Sequence, residues 1–123
     1  MQMHIKEILL ASIIFISLDL FTLNLLRSFF EYQVKSIQGS GIKLNLTAAL
    51  LCYIVLIFGL YYFIISKNKS IFDAFLLGFI IYAVYELTNK SLLNKWNWRT
   101  VIVDTTWGGL LFSLTTYFVY RFR

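Results

Sequence analysis

The sequence predicts an all-α, polytopic integral membrane protein, with four transmembrane helices in an antiparallel bundle and a single domain over residues 1–123. Three observations predict it. The chain is 59% apolar and only 14% charged, where a soluble domain carries about a quarter charged residues. The apolar residues gather into four blocks that approach the ~20 residues needed to span a bilayer as a helix. The segments between the blocks leave no room for a second folded unit.

The blocks cover residues 8–26, 46–65, 71–87 and 101–120. A soluble helix would show polar positions at every third or fourth residue, and residues 8–18 and 46–65 do not. The first block contains Asp19 but also 13 Leu, Ile, Phe or Val residues, enough to insert despite the carboxylate. It reads as a span rather than a cleaved signal peptide, because the apolar run is long and no small-x-small cleavage site follows it. The fourth block has nine such residues together with Asp104, Thr105, Thr106, Gly108 and Gly109, so it inserts only marginally alone and needs partner helices.

The connections are read in the same way. The five residues Ser66-Lys67-Asn68-Lys69-Ser70 form a tight link, which predicts that the second and third spans are antiparallel neighbours. Within the segment 27–45, residues 31–41 are the longest polar stretch, with its break at Gly39-Ser40-Gly41. One side of the membrane holds both termini with Lys6, Lys67, Lys69, Arg121 and Arg123, and the other holds Arg27, Lys35, Lys43, Lys90, Lys95 and Arg99. These sides are called A and B below. Five cations against six give little asymmetry. Side A is taken as cytoplasmic because its charges hug the membrane ends. Asn-x-Ser/Thr triplets at Asn45, Asn68 and Asn89 lie close to spans and are read as chance.

Composition also excludes function classes. The net charge is +5, but the basic residues lie between apolar blocks, where they meet anionic head groups rather than nucleic acid. Membrane lipids are therefore the expected partners, and self-association into a homo-oligomer is a further expectation for so small a bundle. A single cysteine, Cys52, rules out an internal disulfide and a cysteine-based metal cluster. The one histidine, His4, lies outside the spans. No catalytic residue, metal site or cofactor is assigned. Nothing places a serine or cysteine beside an evident base, and there is no glycine-rich phosphate loop.

What remains is a set of acids where acids are costly. Asp19, Asp73, Glu86 and Asp104 lie within or at the edge of the spans, and a carboxylate at a helix centre costs ~2.5–3.5 kcal/mol. Asp73 reads as a first-turn acid favoured by the helix dipole. The other three fall in the half of the bilayer nearer side B. At the helical rise, Asp19 lies ~12 Å before Arg27, Asp104 ~7.5 Å after Arg99, and Glu86 ~6 Å before Lys90. Tyr82, Glu86 and Asn89 share one helix face, and so do Asp104, Trp107 and Gly108. The Trp107 indole can donate to a carboxylate, and Gly108 lets a neighbouring helix approach.

The candidate ligand-binding cluster is therefore Asp19, Tyr82, Glu86, Asn89, Asp104 and Trp107, with Gly108 in helix packing. Polar residues in membranes also simply join helices, and aromatic residues such as Trp96 and Trp98 also serve as interfacial anchors. Three acids on three helices at one level favour a site for a proton, a small cation or a cationic lipid head group. The alternatives are a structural subunit of a membrane assembly and, less favoured, a lipid-modifying enzyme.

At these residues the chain resembles the family catalogued as domain of unknown function 2177. Tyr85-Glu86-Leu87-Thr88-Asn89, then Trp96, then Val103-Asp104-Thr105-Thr106-Trp107-Gly108, is similar to that family's paired motifs. Leu18-Asp19-Leu20 is similar to its early leucine-aspartate element, and Tyr53 with Gly59 and Phe63 resembles its second helix. Two departures are Thr22, where the family often has tryptophan, and the lack of a proline after Trp96. The resemblance covers essentially the whole chain. It implies a four-helix membrane protein of bacteria, or of large DNA viruses with an AT-rich coding bias, and it implies no particular activity.

Overall fold

A computed structural model describes residues 4–123; residues 1–3 of the expected domain lie outside the described residues. The chain is all-α. The helices are α1 (Ile5–Leu25), α2 (Arg27–Gln38), α3 (Leu46–Leu60), α4 (Ile71–Leu92) and α5 (Trp98–Phe122). A π-helical turn, Tyr61–Ile65, extends α3. Local chemistry sets several of these limits. The Asn45 side chain accepts from the Ala48 amide at 3.1 Å and starts α3, and Ser70 does the same for Asp73 at 3.0 Å to start α4. Gly39 ends α2 at φ +78°, the left-handed conformation that glycine adopts without steric cost.

Among the described residues, three helical segments, Ile5–Leu25, Leu46–Ile65 and Ile71–Leu92, are long and apolar enough to cross a membrane. The expected fourth span lies within α5, which is longer but less apolar. The reason is its position. Ten α5 residues are buried, among them Thr100, Thr105, Thr115, Thr116, Gly108 and Gly109. A helix that turns its threonines and glycines toward other helices keeps little apolar surplus for its average hydropathy.

The helices pack in the order α3–α1–α5–α4. This corrects the expectation that the second and third spans are neighbours. The short link ties the ends of α3 and α4 together but leaves their faces free, and α4 packs on α5 instead. The link lies against the end of α5, where the Tyr120 hydroxyl donates to the Lys69 carbonyl at 2.8 Å. Residues 27–38 are also not a plain polar connection, since they form α2.

An aromatic row runs through the packing order. Tyr53 meets Phe15 edge-on at 6.2 Å, Phe15 meets Phe112 at 5.5 Å, and Phe112 meets Tyr82 at 6.4 Å. The closest approach is between α4 and α5. A methyl group built on Gly78 would strike the Gly108 carbonyl oxygen, and one on Gly108 would strike the Tyr82 ring. Phe75 of α4 lies against Gly109, Gly78 against Gly108 and Phe112, and Tyr82 against Gly108.

Polarity runs inside out. Ile13, Phe21, Ile54, Val55, Val84 and Ile102 are each more than half exposed, while Asp19, Gln33 and Glu86 are buried. Water would favour the reverse distribution, and a hydrocarbon surround favours this one.

Candidate functional site

Asp19 lies one turn beyond Phe15 on α1, so its carboxyl sits directly above the aromatic row. The Tyr53 hydroxyl donates to Oδ2 at 2.6 Å. The Trp107 indole N–H donates to Oδ1 at 3.0 Å. Each carboxyl oxygen therefore holds one donor, from α3 and from α5, and the three helices are joined at a single point.

Glu86 is 1% exposed on α4. Its Oε1 accepts from the Trp96 indole at 2.7 Å. Trp96 lies in the link between α4 and α5, which folds back so that the ring covers the acid from side B. The Asp104 carboxyl, half-buried on α5, faces that of Glu86 within hydrogen-bonding reach. Asp104 is also close enough to Asp19 to feel its charge.

The remaining candidates lie around these two groups. Tyr82 packs its ring over Gly108. Asn89 is half-buried toward side B, with its side chain beside the Tyr85 hydroxyl. The six residues thus fall into an Asp19–Trp107 joint, a Glu86–Asp104 pair, and two flanking polar groups. Among the described residues, no three His, Cys, Asp or Glu side chains stand together in a way that could hold a metal ion.

The only ion pair among the described residues joins Glu7 to Arg123 at 2.9 Å, at the side A end. Asp19, Glu86 and Asp104 therefore have no lysine or arginine partner. Asp19 is instead solvated by two neutral donors. Glu86 and Asp104 face each other as acceptors, and two carboxylates at that separation repel. A proton shared between them, or a cation held by both, relieves the repulsion.

Sequence reasoning missed three polar contributors. Tyr53 stood out only in the resemblance to the family's second helix, with no polar role attached. Trp96 had the signature of an interfacial anchor, and its indole instead reaches inward. Gln33, 1% exposed on α2, accepts from the Asn97 amide at 2.9 Å and from the Thr100 hydroxyl at 2.6 Å, and donates to the Lys95 carbonyl at 3.0 Å. The available signal was the amphipathic pattern of residues 27–38, with Phe30, Val34 and Ile37 spaced along one stripe around Gln33.

A family profile described as a predicted membrane protein, DUF2177, matches residues 4–121. No curated protein matches the chain, and no solved structure does.

Proposed function

The chain belongs to this family of predicted membrane proteins, and from that premise we propose that it is a four-span protein, an antiparallel bundle, whose Glu86–Asp104 pair binds or moves a proton, a small cation or a cationic lipid head group. In this reading α5 is the fourth span, held in the bilayer by α1 and α4, and both termini lie on the cytoplasmic side. The observation that carries the proposal is the facing of two carboxyls with no basic partner. Joining helices would not require that arrangement, because one acid with two neutral donors does so at Asp19.

The test is infrared spectroscopy of the protein in lipid, beside Glu86→Gln, Asp104→Asn and Asp73→Asn. A shared proton gives a protonated-carboxyl band that the first two variants lose and the third keeps. A bound cation gives a band that appears only when that cation is withdrawn. Spectra unchanged by either substitution, together with no proton or cation flux in proteoliposomes, would leave the structural reading. The Asp19 joint is the observation that favours that second reading, since there a buried acid serves packing.

A further inference from the structure

The side B end carries a second polar feature, remote from the acid pair in chemistry. A cavity of about 160 Å³ opens between α2 and the first turn of α5, lined by Phe29, Tyr32, Gln33, Asn97, Arg99 and Thr100. Its floor is rigid, because Gln33 and Thr100 are buried and bonded to each other at 2.6 Å. Arg99 is exposed, has no carboxylate partner among the described residues, and rests its guanidinium 5.7 Å from the centre of the Phe29 ring.

The surroundings are cationic. Arg27, Lys35, Lys43 and Lys95 are exposed on the same side. The one acid of this region, Glu31, is occupied by the Ile42 amide at 2.9 Å. Asn97 makes no side-chain capping bond at the start of α5, so no side chain of its own occupies the amides of that first turn. The cavity lies between α2 and the start of α5, which in the four-span reading is the level of lipid head groups. Tyr32 and Trp98 are 71% and 60% exposed there, as interfacial aromatics are, and Leu25 and Ile102 offer apolar surface just beneath.

We propose that this cavity is a docking site for the phosphate of an anionic phospholipid in the side B leaflet, with Arg99 as its charged contact and the acyl chains lying along α1 and α5. Charge complementarity selects an anion, and the aromatic and apolar rim selects one that carries acyl chains. The site does not depend on the acid pair.

Native mass spectrometry of the detergent-purified protein, offered equal dioleoylphosphatidylglycerol and dioleoylphosphatidylcholine, tests it. Wild type should retain the anionic lipid in excess. Arg99→Gln should cut that excess by about five-fold, the effect of one basic group at a membrane surface. Arg121→Gln, an exposed cation on side A, should leave it unchanged. Equal retention of the two lipids by wild type would overturn the proposal, and that comparison needs no variant to fold. So would a preference that survives Arg99→Gln, or sodium phosphate displacing the anionic lipid at equal concentration.

Discussion

Trp107 on α5 donates its indole N–H to Asp19 on α1 across 3.0 Å, while Tyr53 on α3 holds the other carboxyl oxygen at 2.6 Å. A polar contact between membrane helices averages only about 0.6 kcal/mol, with a maximum near ~1.7. Tyr53→Phe and Trp107→Phe should each cost about that much in reversible unfolding from mixed micelles. Asp19→Leu should cost more, about 1–3 kcal/mol, because it strands two donors at once. Double-mutant cycles would separate the terms, and coupling energies near zero would mean that the joint contributes geometry without stability.

The glycines of the α4–α5 contact should not tolerate a side chain. A methyl group at Gly78 meets the backbone carbonyl of Gly108, which cannot swing aside. Gly78→Ala should therefore cost about 1–3 kcal/mol as overpacking, and Gly108→Val should cost at least as much. Gly59 on α3 has open space around it, so Gly59→Ala should be neutral or stabilising by up to ~1 kcal/mol from helix propensity. Equal thermal midpoints for Gly78→Ala and Gly59→Ala would contradict the close contact.

These contacts show how much the residues alone revealed. Four apolar blocks, the inward acids and the Trp107 donor follow from composition and from the 3.6-residue period. The α3–α1–α5–α4 order does not, because a five-residue link fixes where two helices begin and not which faces meet. Residues 27–38 were hidden for a different reason. They are too short and too polar to register as a span, and their helix is held by Gln33, whose partners lie more than 60 positions away. Asn45 and Asn68 looked like chance triplets. One caps α3, and the other takes the left-handed turn of the 66–70 link at φ +51°.

Gln33 should hold α2 to the α4–α5 link. Gln33→Leu removes the acceptor of the Asn97 amide and Thr100 hydroxyl and the donor to the Lys95 carbonyl, at about 1–3 kcal/mol for each buried group left unpaired. The loosening should be local. Hydrogen exchange should rise across residues 27–38 and 93–98 while α1 stays protected. Exchange that rises equally in α1 would mean that α2 is part of the bundle's cooperative unit.

Assigning α5 as the fourth span has a topological consequence. Four crossings place the two termini on the same side of the membrane, whereas three place them on opposite sides. Protease-cleavable tags at each end, read in sealed vesicles, should therefore be cut together or spared together. The proposed orientation adds that a protease outside intact cells spares both. One tag cut and the other spared would remove α5 from the bilayer.

The acid pair gives the sharpest separation of function from structure. In Glu86→Gln the new amide can donate to Asp104 while its oxygen still accepts from Trp96, so a repelling pair becomes a hydrogen-bonded one. Asp104→Asn does the same in reverse. A hydrogen bond to a charged group contributes about 1.5–3 kcal/mol, so each variant should be as stable as wild type or more stable by up to about that amount. Yet each should lose the proton or cation response seen in lipid. Stability gained as response is lost is the pattern of residues kept for what they bind. If both substitutions instead lower stability and leave the infrared spectrum unchanged, Glu86 and Asp104 hold α4 to α5, and the binding proposal fails.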